Sequence, residues 1–414
     1  MPKTVVVGAG VIGLASAYEL ARRGHEVTVV DKGEPGKSCS AGNAGWITPS
    51  LSAPIPGPGL TWTSIRWMLS KESPLYIAPA AVPHLSRWLW RFWRYCNAAD
   101  NLAGFHATAT LNRLTIPLFE ELAKDGFPIE LHRRGLLFLF TNRRSMEKTR
   151  AEFEVLKEYG YRMPAILDRT AITGMERGLS DKVTSGFTVD GEYHVRPETL
   201  TDAYVARIKQ LGATIKSGVE VTGPLRHNGK IAGIETASGP IEADNVLIAA
   251  GAWTGLVAGK FGARLPVQAG KGYSLTIPTD TEIFSRPLYL GDVKVGVSPF
   301  VGALRFAGTM ELSGINTILN RGRLDGVLRS VGRYFEAPLA KKAGQEWVGM
   351  RPLTPDGLPM LGRAPGHENV YVATGHAMLG ITLAPATGRV MGEMMTKKAT
   401  SVPVGAFEPG RFDW

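Results

Sequence analysis

Three observations predict an α/β fold in which a parallel sheet, assembled from separated stretches of chain, is interrupted by an α+β unit on a mainly antiparallel sheet. Residues 4–31 read as strand, glycine turn, helix and strand. Buried apolar runs of the same kind return at 246–250 and 370–373. Between them, residues 272–311 alternate apolar and polar positions, as strands with one covered face do. With 414 residues, 44% of them hydrophobic, the chain can build two or three domains and a full core without metals or disulfides.

The opening unit is the most specific. A β-branched strand at 4–7 runs into Gly8-Ala9-Gly10-Val11-Ile12-Gly13, a helix over 14–23 and a second strand over 27–30 that ends on Asp31. Gly8 permits the tight turn, Gly10 lets backbone approach a pyrophosphate, and Gly13 lets the helix pack closely on the sheet. Phosphates are then expected at the helix N-terminus, beside Val11 and Ile12, where unpaired N–H groups and the helix dipole favour negative charge. Asp31 is placed to accept from a ribose diol and to repel a 2′-phosphate. A lone GxGxxG is weak, whereas strand, glycines, helix, strand and terminal acid in order are specific to a Rossmann-type unit.

After Lys32 the chain runs Gly33-Glu34-Pro35-Gly36-Lys37-Ser38-Cys39-Ser40-Ala41-Gly42-Asn43-Ala44-Gly45, where an NAD domain usually continues with helix and strand. Such a small-residue loop can pass beside an extended cofactor, with Ser38, Ser40 and Asn43 supplying hydrogen bonds. A surface loop is the alternative reading.

Residues 49–59 are rich in Pro and Gly and read as a crossing between domains. Residues 61–125 read as aromatic-rich and mixed helices, including 85–96 and 109–125. A strand at 136–140 and a helix over 145–159 follow. Next come a helix over 199–211, strands at 214–221 and 230–236, and the apolar run 246–250 leading into Gly251-Ala252-Trp253. The run 370–373 leads through Thr374-Gly375-His376-Ala377-Met378-Leu379-Gly380 into a helix ending near 396. The nucleotide-binding domain is therefore expected from 1–48, 190–270 and 340–414, and the substrate domain from 49–189 and 271–339.

Composition excludes several classes. Cys39 and Cys96 form no CxxC pair and stand in no His/Cys/Asp cluster, which argues against structural zinc or iron–sulfur centres and for a reducing, cytoplasmic setting. Structure begins at Val5, so no secretory leader is expected. The net charge of +10 favours anions, acidic membranes or nucleic acid. No arginine-rich tail or nucleic-acid module is recognisable, and pairs such as Lys341-Lys342 and Lys397-Lys398 read as solvated faces, so no nucleic-acid partner is expected. The stretch 85–96 places three arginines opposite Leu85, Trp88, Leu89, Phe92 and Cys96. It reads either as a core helix or as a monotopic helix at the cytoplasmic face of a membrane, being too short and charged to span one.

The opening unit, the Ser/Gly/Asn loop, Gly349-Met350-Arg351-Pro352-Leu353-Thr354-Pro355-Asp356-Gly357-Leu358-Pro359 and the segment from Thr374 to Gly380 together resemble the glycine/D-amino acid oxidase superfamily. The similarity is closest to bacterial D-amino acid dehydrogenases, including those that oxidise D-hydroxyproline, and it covers nearly the whole chain. It implies a Rossmann-type FAD-binding domain with an inserted α+β substrate domain, extended FAD at their boundary, and oxidation of an amine or imino acid to an imine that water later hydrolyses. By motif position, Gly8, Gly10, Gly13, Asp31 and Lys32 would meet the ADP part. Ser38, Ser40, Asn43, Ala44 and Gly45 would line the way to the flavin. Val221, read as ending its strand, would meet adenine through its backbone. Ala250, Gly251 and Trp253 match a segment beside the cofactor, and Gly375, His376, Leu379, Gly380, Ile381 and Thr382 match one at the flavin's pyrimidine edge. Gly349 stands where some relatives carry a flavin-linking cysteine, so FAD is expected to be non-covalent.

Arg351 has the planar fork to hold a carboxylate bidentately, with a structural ion pair or backbone carbonyls as the alternative; the resemblance supports the carboxylate. If hydrogen leaves Cα as hydride, no acid–base arrangement is needed, and none is found. His376 reads as shaping the pocket or as a satisfied structural histidine. Tyr289 and Arg305 face the substrate if their strand register points them inward. The expected reaction is dehydrogenation of a small D-amino or cyclic D-imino acid, such as D-proline or hydroxy-D-proline, with a quinone or other electron acceptor. A glycine- or sarcosine-type oxidase and a flavoprotein subunit of a larger amine dehydrogenase are the competing readings. Oligomeric state is not legible.

Overall fold

The computed structural model describes residues 1–60, 75–339 and 342–412. The helical reading for 61–74, and Lys341, lie outside them.

Strand β1 (Lys3–Val7), helix α1 (Val11–Arg22) and strand β2 (Glu26–Val30) form the expected first unit. β1 is central because Val5, Val6 and Val7 are apolar on both faces and all buried. The sheet around it has six strands in the order Thr214–Lys216, β2, β1, Asn245–Ile248, Val370–Thr374, Met360–Arg363. All neighbours pair in parallel except the last two, which are antiparallel. Helix α1 starts three residues before the expected Leu14, because Gly13 lies inside its first turn. The low helix propensity of glycine argues against that start; close packing, described below, overrides it. On one face α1 lies against the helix Gly380–Met395, and Leu14, Ala17, Ile381, Leu383 and Val390 share one core with Leu200 and Tyr204.

The second sheet has nine strands, mostly antiparallel, in the order Gln345–Leu353, Gln268–Pro278, Ala303–Leu312, Val295–Phe300, Leu288–Leu290, Leu136–Phe140, Ser185–Val189, Ile166–Asp168, with Leu75–Ile77 paired to Ala303–Leu312. The strand Gln345–Leu353 was not anticipated. It carries the Gly-Met-Arg-Pro motif into this sheet, so the chain rejoins the six-stranded sheet at Met360–Arg363, later than residue 340. Trp46–Ile47, Tyr193–Val195 and Leu131–His132 make a small sheet between the two.

The expected helix over 109–125 is two helices, Ala98–Asn112 and Thr115–Lys124. Asn97 caps the first, its side chain accepting from the Asp100 N–H. Pro117 cannot donate back to the preceding turn, so a new helix begins around it. The helix over 145–159 is likewise shorter, Arg143–Ala151, followed by the 3₁₀ turn Glu154–Tyr159. In Val82–Arg94, Leu85 and Trp88 pack against Leu312 and Leu353, and the Trp88 indole donates to the Pro266 carbonyl at 3.0 Å, while Trp90 and Trp93 are exposed. The inner face of this helix is therefore core. No described helix is long and apolar enough to cross a membrane.

Candidate active site

At the end of β1, Gly8 adopts φ +112°, and a Cβ there would lie 2.4 Å from the Ala249 carbonyl oxygen. A Cβ on Gly13 would lie 1.9 Å from the Gly8 carbonyl oxygen, so only glycine lets α1 come this close. Gly10 differs: its Cβ would find only the Ser40 hydroxyl, at 3.6 Å, leaving open space above the backbone at the helix N-terminus. The Val11 N–H donates to Ser40 Oγ at 3.0 Å. The Asp31 carboxylate accepts from the Ala9 and Gly33 N–H groups at 2.7 and 2.8 Å, and each oxygen keeps a further lone pair. The Lys32 ammonium stands 4.4 Å from the centre of a Trp253 ring. Val221 opens the strand Val221–His227 instead of ending one, and its carbonyl accepts from Lys260 Nζ at 2.7 Å. Gly251, φ +54°, supplies a turn nearby, and its carbonyl accepts from the Thr374 hydroxyl at 3.0 Å.

The loop carrying Ser38 to Gly45 is pinned from the second sheet. Arg305 donates to the carbonyls of Ala41 and Asn43, both at 2.8 Å, to Thr276 Oγ1 at 2.9 Å and to Glu198 at 2.6 Å. Its fork is thereby committed to protein partners, and it does not line the cavity described next. Arg305 is a strut for the loop, which overturns its expected place at the substrate; it shares a sheet face with Ala307, but the loop at Ala41 and Asn43 covers that end of the strand.

A cavity of about 910 Å³ runs between the sheets. One end is lined by Gly8, Gly10, Val11, Ile12, Asp31 and Lys32, with Val221, Ala250, Gly251 and Trp253 beside them. Ser38, Ser40, Asn43 and Ala44 follow, then Leu379, Gly380, Ile381 and Thr382 at the start of the helix Gly380–Met395. Gly13, Gly45 and Gly375 stand behind the wall. A Cβ on Gly45 would meet the Val195 carbonyl at 2.0 Å, and one on Gly375 would meet Thr354 at 2.7 Å, so both glycines serve packing.

At the other end lie Arg351, His376 and Tyr289. The Arg351 side chain crosses Gly272 on the adjoining strand, where a Cβ would sit 2.4 Å from its Nη1, and it donates to the Thr309 carbonyl at 2.6 Å. No carboxylate pairs with it among the described residues. Desolvation lowers its pKa to about 10, so it remains a cation at neutral pH. Thr309, unremarked in the sequence, has φ +61° and also receives a hydrogen bond from buried Arg323 at 2.5 Å on its hydroxyl. Only the backbone conformation marks it, and that has no signal in a Thr codon. His376 is 3% exposed, shares a hydrogen bond of 2.9 Å with Thr387, and burial holds its pKa down to about 3, so its ring is neutral. It is both a wall of the cavity and a paired structural residue. Cys39 accepts from the Met350 N–H at 3.2 Å, close to where Arg351 begins.

A family model described as FAD dependent oxidoreductase, DAO, matches residues 3–394. The chain belongs to the DAO family. Among curated relatives of this DAO-family chain are a D-amino acid dehydrogenase of Xanthobacter autotrophicus, 32% identical over 99% of both chains, and one of Methylobacterium nodulans, 33% identical over 97% of this chain and 96% of the relative. Its fold is shared by glycine oxidase from Geobacillus kaustophilus, TM-score 0.77 at 22% identity over the whole of both chains. It is shared too by L-proline dehydrogenase from P. horikoshii, TM-score 0.78 at 20% identity over 99% of this chain and 97% of the other. The residues present fit FAD, the cofactor of the DAO family: the open space over Gly10, the helix N-terminus beneath it and the free lone pairs of Asp31 stand at one end of a cavity long enough to reach the second sheet.

Proposed function

We propose that the chain is a D-amino acid dehydrogenase that takes a hydride from the carbon beside the nitrogen of a small D-amino or cyclic D-imino acid, D-proline and hydroxy-D-proline included. The observation that carries this reading is Arg351, a half-buried guanidinium lining the cavity with one carbonyl partner and, among the described residues, no carboxylate. A cation so placed is costly without a counter-ion, and a substrate carboxylate supplies one. The shared name of the relatives, at about 30% identity over nearly the full chain, supports the D-amino acid class.

In this reading Gly8, Gly10, Val11 and Ile12 hold the pyrophosphate, and Asp31 holds the adenosine ribose. Lys32, Val221, Ala250, Gly251 and Trp253 enclose the remaining ADP part. Ser38, Ser40, Asn43 and Ala44 border the middle of the cofactor, and the N–H groups of Gly380, Ile381 and Thr382 face its ring edge, with Leu379 beside them. FAD, held without a covalent bond, supplies the two-electron acceptor. Arg351 fixes the carboxylate and thereby the Cα–H, an orientation effect that needs no general base. His376, neutral through burial, shapes the wall and carries no positive charge at working pH. The name dehydrogenase supports a terminal acceptor other than oxygen, a quinone or another carrier.

An anaerobic panel of D- and L-amino acids, proline and both hydroxyproline epimers included, tests the assignment through bleaching of the flavin band with a dye acceptor present. Selective bleaching by D-enantiomers is expected. Bleaching by glycine or sarcosine alone would overturn it.

A further inference from the structure

The direction of the Arg351 fork depends on an irregularity in the second sheet. In the pairing of Gln268–Pro278 with Ala303–Leu312, Lys271 stands opposite Glu311 and Tyr273 opposite Gly308, so Thr309 and Met310 together face the single residue Gly272. Two residues against one make a β-bulge, which leaves the extra residue outside the ladder. A bulge residue in the left-handed region is usually glycine. Here it is Thr309, φ +61°, and a β-branched residue keeps that conformation only where its surroundings hold it.

The bulge delivers the Thr309 carbonyl to Arg351 Nη1 at 2.6 Å. The end of the guanidinium occupies the space over Gly272, where a Cβ would stand 2.4 Å from Nη1, 2.5 Å from Nη2 and 2.6 Å from Cζ. With a glycine floor and one N–H tied, the place of the Thr309 carbonyl decides how the remaining donors meet the cavity.

A second arginine holds Thr309. Its hydroxyl accepts from Arg323 Nη2 at 2.5 Å, and both residues are buried. Arg323 stands in the first turn of the helix Arg321–Val331, where the helix dipole disfavours a cation. Burial pushes its pKa down and Glu311 opposes the shift, while the Tyr76 ring centre lies 5.3 Å from its Cζ. Glu311 already has partners of its own, Lys271 at 2.8 Å and the Tyr273 hydroxyl at 2.7 Å. Neither the helix nor the carboxylate therefore accounts for a buried guanidinium here, and the bond to Thr309 does. Thr309 and Arg351 line the cavity and Arg323 stands behind it, so Arg323 reaches a ligand through Thr309.

We propose that Arg323 is a positioning residue for the substrate carboxylate, holding Thr309 in its left-handed turn and thereby aiming the Arg351 fork. This rests on the D-amino acid reading above, in which Arg351 grips the carboxylate.

The test uses purified holoenzyme and the best substrate of the D-amino acid panel, turned over anaerobically with a dye acceptor. Propionate, a carboxylate without an amine, serves as a non-reacting ligand whose binding is read from the flavin difference spectrum. Arg323→Met should raise KM and the propionate dissociation constant together by about tenfold, the lower end of what a charge-assisted hydrogen bond supplies, with kcat within about twofold of wild type. Thr309→Ala should do the same, and Thr309→Ser, which differs from it by one hydroxyl, should recover most of the loss. In an Arg351→Ala background Arg323→Met should move neither constant further, because the two residues act in series. Wild-type constants in Arg323→Met overturn the proposal even if that variant melts at a lower temperature. A tenfold effect that persists in the Arg351→Ala background overturns it too. Where Arg323→Met does not fold, equal constants in Thr309→Ala and Thr309→Ser do so. Arg351→Ala with unchanged KM and propionate binding overturns the carboxylate reading itself, and this one with it.

Discussion

In the proposed reading Arg351 carries substrate binding in one side chain, and its value comes from what it lacks. A guanidinium has five donors, and one of them is met by Thr309. Arg351→Ala should therefore lower kcat/KM for a D-amino acid by roughly a hundredfold, about 3 kcal/mol, mostly through KM. Arg351→Lys, which keeps charge and loses the fork, should recover only part. Wild-type kinetics in the Ala variant would dismiss the carboxylate clamp. His376 makes the opposite case, a histidine in the cavity whose pKa of about 3 removes it from proton transfer. The kcat/KM profile between pH 5 and 9 should keep its shape in His376→Gln; an inflection that vanished with the substitution would show that the ring ionises during turnover.

At the scale of elements, the glycines sort by what surrounds them. Gly388 in the last helix would place a Cβ 2.5 Å from the Ala15 carbonyl oxygen, so α1 and Gly380–Met395 touch backbone to backbone there. Gly388→Val should cost about 1–3 kcal/mol through overpacking and reduce the flavin retained per chain. Thermal melting with visible absorbance checks both, and unchanged values would mean that the two helices do not meet at this point. Gly10→Ala meets nothing nearer than 3.6 Å in the protein itself. It should leave the melting temperature of the flavin-free protein near wild type while weakening FAD binding, measured by reconstitution. The motif gives Gly8, Gly10 and Gly13 separate roles; Gly388 stands outside any motif, and only its surroundings mark it as a packing position.

For the whole molecule, buried ionisable groups set the pH range of stability. Glu192, 1% exposed, accepts from the Ser50 N–H at 3.1 Å, and burial, the dominant cause, raises its pKa to about 8. A carboxyl raised above its ordinary 4.5 contributes its full share below that value and loses it as pH climbs toward 8. His194 and His376, both held near 3 by burial, work the other way: their share is complete above the ordinary 6.5 and lost on acidification. Glu192→Gln should thus raise the melting temperature relative to wild type at pH 8, with the gap narrowing toward pH 5. A gap that does not change with pH would refute the protonated carboxyl.

Local pattern was enough to read β1, α1 and β2, the strand Leu136–Phe140, the run into Val370–Thr374 and the turn and packing roles of Gly8 and Gly13, because a turn, a helix face or a doubly buried strand is dictated by neighbours within about twenty residues. Side-chain direction across the second sheet was not readable that way. Arg305 turned to the loop at Ala41 and Asn43, Gln345–Leu353 joined Gln268–Pro278, and Thr309 took a left-handed conformation beneath Arg351. Each of these follows from contacts with segments far along the chain, which no window of neighbouring residues contains.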